Sequence, residues 1–228
     1  MPAFTGFTPK TLAYLAGLEE NNTKDWFATH KDDYQTHLLA PFAALAAELG
    51  PTMLAIDPAI EVAPAVGKSL SRMNRDVRFS RDKSPYRARM WLGFKRPLPD
   101  WSQRPAFYFE LEPRTYSFGM GFYSAAKTTM DRLRTVIAAY PDTFRGQVAF
   151  LSGRTLLAVD GERYKRTLDP GLPDDLQPWN QWKSFYLHCS GDHDDRLFTP
   201  ELAGTLRDTF NQAAPFYRFL CDLGVDEE

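Results

Sequence analysis

The sequence contains little cysteine and no long apolar run. Its 228 residues include two cysteines, Cys189 and Cys221, which form no CxxC pair. This excludes a disulfide framework and a cysteine-based zinc site, and it favours a reducing, cytoplasmic setting. No stretch approaches the roughly 20 apolar residues that cross a bilayer, so we expect no membrane-spanning segment. The N-terminal residues lack the basic region and cleavage site of a signal peptide, which agrees with a cytoplasmic location.

The chain also lacks the features of disordered and repetitive proteins. Hydrophobic residues make up 43% and aromatic residues 14% of the sequence, which is too apolar for a disordered chain. We find no repeat and no linker rich in glycine and serine. We therefore expect residues 1–228 to form a single domain, whose formal net charge is −2.

Hydrophobic periodicity predicts helices at both ends and strands in the middle. Thr8-Pro9 and Thr199-Pro200 are typical helix starts, because a hydroxyl residue precedes proline at the first helical position. Alternation of apolar and polar residues predicts strands at 60–62, 86–94, 106–112, 116–122 and 184–190. Asp160-Gly161 predicts the turn of a further hairpin. Without βαβ alternation, the pattern favours an α+β fold with N- and C-terminal helices packed on a mainly antiparallel sheet.

The common nucleotide-binding motifs are incomplete. Gly67-Lys68-Ser69 resembles the end of a phosphate-binding loop, but Val62 stands where that motif needs glycine. Gly119-Met120-Gly121 resembles the start of a dinucleotide fingerprint, but Ser124 replaces its last glycine, and the segment is predicted to lie in a hairpin.

The strongest chemical signal is a basic segment. Between positions 68 and 96 the sequence has ten Lys and Arg residues and two acidic residues. Arginine supplies a planar fork of donors for phosphate or carboxylate, and lysine supplies a point charge. We therefore expect segment 75–89 to bind an anionic, phosphate-bearing ligand through four cations, with two aromatic side chains as walls. These residues are Arg75, Arg78, Lys83, Arg87, Tyr86 and Trp26.

Two alternatives for this segment remain open. Asp76 or Asp82 is a candidate base or metal ligand for hydrolysis or transfer at a phosphoryl or acyl centre. In the other alternative, the Arg and Asp side chains only brace the fold, and the chain is a structural or protein-interaction module. No motif specifies a cofactor or an oligomeric state.

Metal sites are not favoured elsewhere. His30 and His37 share a helical face that continues into Phe42 and Leu45, so we interpret both as partly buried core residues. The His and Asp residues at 188–195 fit an ordinary polar turn after a strand, because no motif gives them a ligand geometry.

Single-stranded nucleic acid is an alternative partner, because Trp91 and Trp101 lie within or beside the basic segment and bases stack on aromatic rings. The net negative charge does not favour it.

Several blocks of the sequence resemble the domain of unknown function family 2461. The blocks follow the same order and span nearly the whole chain: 4–7, 21–27, 75–86, 121–123, 133–134 and 215–220. The resemblance implies a single α+β domain of a kind found in bacterial and fungal proteins, with no established activity and no assigned site residues. Two departures from the family pattern are Ala125-Ala126, where proline is usual, and Gln181-Trp182, where a Leu-Arg pair is common.

Overall fold

The first helix begins where the sequence predicts. In the computed structural model, which describes residues 2–223, α1 spans Pro9–Glu20. Thr8 precedes it in extended backbone, and its amide N–H donates to Thr11 Oγ1 at 3.1 Å. Proline at the first helical position has no amide hydrogen to leave unpaired. Leu15 and Leu18 lie fully buried on the inner face of α1.

A longer helical run follows. It comprises α2 at Lys24–Thr29, α3 at Lys31–Asp33, a π-helical segment at Tyr34–Leu39, and α4 at Ala40–Ile56. The run Lys31–Ile56 is long and apolar enough to cross a membrane by composition alone, with a mean hydropathy of 1.5 in its most apolar window. A core helix has the same composition, and 44% of this window is buried. The expected absence of a membrane span and the cytoplasmic location remain predictions.

The middle of the chain forms a five-stranded antiparallel sheet in the order β1-β2-β3-β5-β4. The described residues are 46% helical and 18% strand, which confirms the predicted α+β fold. The strands have these bounds: β1 Met90–Phe94, β2 Pro105–Leu111, β3 Thr115–Phe122, β4 Ala158–Arg163 and β5 Trp182–Asp192. The remaining helices are as follows: α5 Lys127–Ala139, α6 Pro141–Val148, α7 Gln177–Asn180 and α8 Glu201–Leu223.

Three strand predictions were wrong in detail. Residues 60–62 lie in irregular backbone, where Glu61 Oε1 accepts the N–H of Ala63 at 3.0 Å and holds a turn. The strand predicted at 86–94 begins only at Met90, so residues 86–89 lie before β1. Asp160 and Gly161 lie inside β4, paired with β5, and form no turn. Gly161 fits there because its φ is +147° and a Cβ atom would lie 2.2 Å from the carbonyl oxygen of Ser184.

The described residues group into two compact units. The first comprises the chain up to Phe94, together with Tyr108–Phe118 and Ser190–Asp208, and the second comprises Lys95–Phe107, Gly119–Cys189 and the chain from Thr209 onward. Aromatic rings fill both interiors. In the first unit, Phe7 stacks on Phe109 with ring centroids 5.7 Å apart. In the second, Phe185 and Phe216 stack at 6.0 Å.

Candidate functional site

Residues 75–89, which we call the basic loop, form the last part of the connection between α4 and β1. The base of the loop is closed by a bridge between Asn74 and Tyr86, and the N–H of Arg75 donates to the carbonyl of Pro85 at 2.9 Å. The two ends of the loop are thus held together by backbone contacts.

Tyr86 anchors the loop to the helices. Its amide N–H donates to Asn22 Oδ1 and its carbonyl accepts from Asn22 Nδ2, both at 3.0 Å. Its ring stacks on Phe27 with centroids 4.2 Å apart, and Tyr86 is only 9% exposed. Tyr86 is therefore buried against Phe27, and it attaches the end of the loop to the N-terminal helices.

Arg75 and Asp82 form an ion pair across the loop. Asp82 also accepts the backbone N–H and the hydroxyl of Ser84, at 2.9 and 2.6 Å. The hydrogen bond from Arg75, followed by those from Ser84, holds the pKa of Asp82 well below its usual range. Asp82 is therefore ionised at neutral pH, and both of its carboxylate oxygens already accept hydrogen bonds.

Arg78 and Asp76 form a second pair. The guanidinium donates from Nε at 2.9 Å and from Nη2 at 2.6 Å to the two carboxylate oxygens. This hydrogen bonding lowers the pKa of Asp76 to about 2. A carboxylate with so low a pKa is a weak base at neutral pH, because it has little affinity for a proton.

Lys83 and Arg87 bind backbone carbonyl groups. Lys83 Nζ lies 3.0 Å from the carbonyl oxygen of Val77, and Arg87 Nη1 lies 2.6 Å from that of Asn74. The Arg87 guanidinium is also 5.2 Å from the ring centroid of Trp91. A carbonyl group orients a cation without neutralising it, so both side chains keep their full charge.

Two residues of the loop were not singled out in the sequence. Phe79 is 95% exposed. Arg81 has no side-chain bond within residues 2–223. The sequence does indicate that Phe79 is exposed, because it stands between charged and polar neighbours and belongs to no apolar stripe.

The ring of Trp26 packs within the N-terminal helices. It stacks on His30 with centroids 4.0 Å apart, and His30 Nδ1 lies 2.8 Å from the carbonyl oxygen of Trp26. The two rings line a separate cavity of about 290 Å³ with five further residues: Lys10, Ala13, Tyr14, Asp33 and His37. The buried Tyr14 hydroxyl has no hydrogen-bond partner in the described part of the chain, and burial raises its pKa. Among the residues described, no group of three or more His, Cys, Asp and Glu side chains is placed to hold a metal ion.

A second cavity, of about 240 Å³, lies within the second unit. Its cations are paired: Lys183 Nζ lies 2.5 Å from Glu162, and Lys127 Nζ lies 2.5 Å from Asp131. The guanidinium of Arg134 bonds the carbonyl oxygen of Trp182 at 2.6 Å and Asp131 at 2.7 Å. The lining residues are Ser124, Ala125, Lys127, Met130, Arg134, Glu162, Tyr164, Lys183 and Ser184. Because they come from distant segments, the sequence gives no local pattern for this cavity.

A comparison with protein-family models identifies the family. A family model described as conserved hypothetical protein (DUF2461) matches residues 10–219, nearly the whole chain. The chain belongs to this family. No match was found among curated proteins. The DUF2461 match includes the basic loop and both cavities, and the description of the family assigns no activity to any of them.

One departure from the pattern noted in the sequence is Gln181-Trp182, where a Leu-Arg pair is common. Trp182 is only 3% exposed, and the guanidinium of Arg163 lies 3.8 Å from its ring centroid. The carbonyl oxygen of Trp182 accepts from Arg134, so a backbone group at this position orients that arginine.

Proposed function

We propose that this protein binds an anionic, phosphate-bearing ligand through the basic loop. The observation that supports the proposal is the unequal pairing of charge. The basic loop holds six cations and two carboxylates, and each carboxylate is held by one arginine. Arg89 pairs with Glu110 and Glu112 outside the loop. Within residues 2–223, the other three cations have no carboxylate partner: Arg81, Lys83 and Arg87.

The arrangement suits recognition of an anion. Lys83 and Arg87 are oriented by backbone carbonyl groups before any ligand arrives, so less side-chain freedom is lost on binding. Arg81 is exposed and has no competing partner among residues 2–223. A phosphate group attracted by this local field accepts hydrogen bonds from lysine and arginine donors together.

The enzyme alternative has less support. Hydrolysis or transfer of a phosphoryl or acyl group would need Asp76 or Asp82 to accept a proton or to hold a metal ion. Both carboxylates have a lowered pKa, and both are bonded to an arginine. Either role would first require that pairing to break.

The test is thermal unfolding in phosphate and in chloride at matched ionic strength. A ligand that binds only the native state raises the melting temperature by mass action. We expect phosphate to raise it, and we expect Arg81→Ala and Arg78→Ala to remove the shift without unfolding the protein. Arg81→Ala is the cleaner variant because its side chain has no structural bond within the described residues.

Arg154→Ala is the matched control, since Arg154 is an exposed arginine in another loop. This variant should keep the full phosphate shift. An unchanged melting curve in phosphate would contradict the proposal and would favour a purely structural or protein-interaction role for the loop.

A further inference from the structure

The basic loop combines an uncovered aromatic ring with cations. Phe79 is 95% exposed, and the guanidinium carbon of Arg78 lies 5.8 Å from its ring centroid. A single exposed apolar residue is ordinary on a protein surface. What makes this ring informative is that it lies in the same loop as Arg81, Lys83 and Arg87, which have no carboxylate partner within residues 2–223.

Trp91, just after the loop, is a second aromatic ring that lies close to arginine side chains. Trp91 alternates with the buried residues of β1 and is half-buried on the opposite face of the strand. The guanidinium carbons of Arg87 and Arg89 lie 5.2 and 6.0 Å from its centroid. Within fourteen positions, 78–91, the first unit therefore presents two aromatic rings, each beside arginine.

From this pairing of rings and cations we infer that the phosphate-bearing ligand is a single-stranded nucleic acid. The inference rests on the proposed function and narrows its ligand class. Bases of the bound strand stack on Phe79 and Trp91, while its phosphates meet Arg81, Lys83 and Arg87. Every base has a π-face, so such a surface binds with little sequence preference.

Other anionic partners fit this surface less well. Free phosphate makes no use of either ring. A membrane surface would take up the exposed Phe79, but Trp91 lies along a strand between two guanidinium groups and is not free to insert. Since the whole chain has a net charge of −2, attraction of a polyanion comes only from the local cations of this surface. Binding should therefore weaken steeply as the salt concentration rises.

The experiment measures binding of a fluorescein-labelled oligothymidine to the full chain by anisotropy at low salt. We expect Phe79→Ala to weaken binding roughly 5- to 100-fold, and Phe79→Trp to retain it. Arg154→Ala should bind as the unaltered protein does. Phe79 is so exposed that neither of its substitutions should alter folding, which the melting temperature checks.

Competition separates this inference from the proposed function. Unlabelled oligothymidine should displace the probe more effectively than polyphosphate of matched charge or anionic phospholipid vesicles. Equal displacement by polyphosphate, with no effect of Phe79→Ala, would overturn the inference but leave the proposed function standing. Stronger displacement by vesicles would also overturn it. If neither oligothymidine nor polyphosphate binds, both proposals fail.

Discussion

Asn22 and Tyr86 exchange two hydrogen bonds of 3.0 Å, although 64 positions separate them in the chain. The amide side chain of Asn22 satisfies both backbone groups of Tyr86, as a neighbouring strand would. The contact joins the block at 21–27 to the block at 75–86, two of the segments that carry the family resemblance. The base of the basic loop is therefore held by a residue that precedes α2.

Replacing Asn22 tests this anchor. Asn22→Ala leaves the N–H and the carbonyl of Tyr86 without their partner, and we expect it to lower the free energy of unfolding by about 1–3 kcal/mol. Asn211→Ala, at an exposed position in α8, should change it little. Urea unfolding of both variants measures the difference, and equal stability of the two would show that the anchor contributes nothing.

The glycines of β3 are required by close approach of the backbone. A Cβ atom at Gly119 would lie 1.9 Å from the carbonyl oxygen of Leu187 in β5. We expect Gly119→Ala to cost about 3 kcal/mol or more, because neither strand can move without breaking its pairing.

Gly204→Ala is the matched control for Gly119→Ala. Gly204 lies inside α8, and no atom of the described residues lies within 4 Å of the added methyl group. This substitution should stabilise the protein by about 1 kcal/mol through helix propensity. Calorimetric melting of the two variants should move in opposite directions, and a common direction would refute the packing argument.

Acid should weaken the fold through carboxylates with a lowered pKa. In Asp194 the main cause is the hydrogen bond from Arg196, supported by one from the Tyr116 hydroxyl at 2.9 Å. The resulting stabilisation is complete above the unfolded pKa of about 4 and is lost as pH falls through the lower folded value.

The pH dependence of Asp194→Asn tests this assignment. The melting temperature of the variant should lie below that of the unaltered protein at pH 7, and the gap should close at acidic pH. Asp208→Asn, at an exposed helical position, is the matched control and should change the melting temperature little. A gap for Asp194→Asn that persists at low pH would assign the effect to neutral hydrogen bonding.

Local patterns predicted much of the fold. The start of α1 follows from Thr8-Pro9, and β2 and β3 follow from alternation that a single strand displays by itself. The prediction for 60–62 was wrong because three alternating residues do not distinguish a strand from a turn held by Glu61. The Asp160-Gly161 turn was wrong because glycine is needed there for close approach to β5, a contact invisible in the local sequence.

The composition of the candidate site follows from the sequence, but its arrangement follows only in part. The cations of the basic loop come from one contiguous segment, so their proximity follows from the chain itself. Trp26 and His30 are four positions apart on α2 and its C-cap, a spacing that the sequence does show. The contact of Tyr14 with Trp26, by contrast, depends on how α1 and α2 pack, and the cavity around Arg134 depends on three distant segments. Contacts between distant segments produce no local pattern of residue spacing, so the sequence alone does not predict them.

The central claim is that the basic loop is where an anion binds. The most direct measurement is the titration of the isotopically labelled protein with inorganic phosphate at constant ionic strength, followed by the chemical shifts of the backbone amides. We predict saturable shifts concentrated at residues 78–87, absent in Arg81→Ala. Shifts confined to the cavity lined by Lys127, Arg134 and Lys183, or no saturable shift anywhere, would contradict the claim.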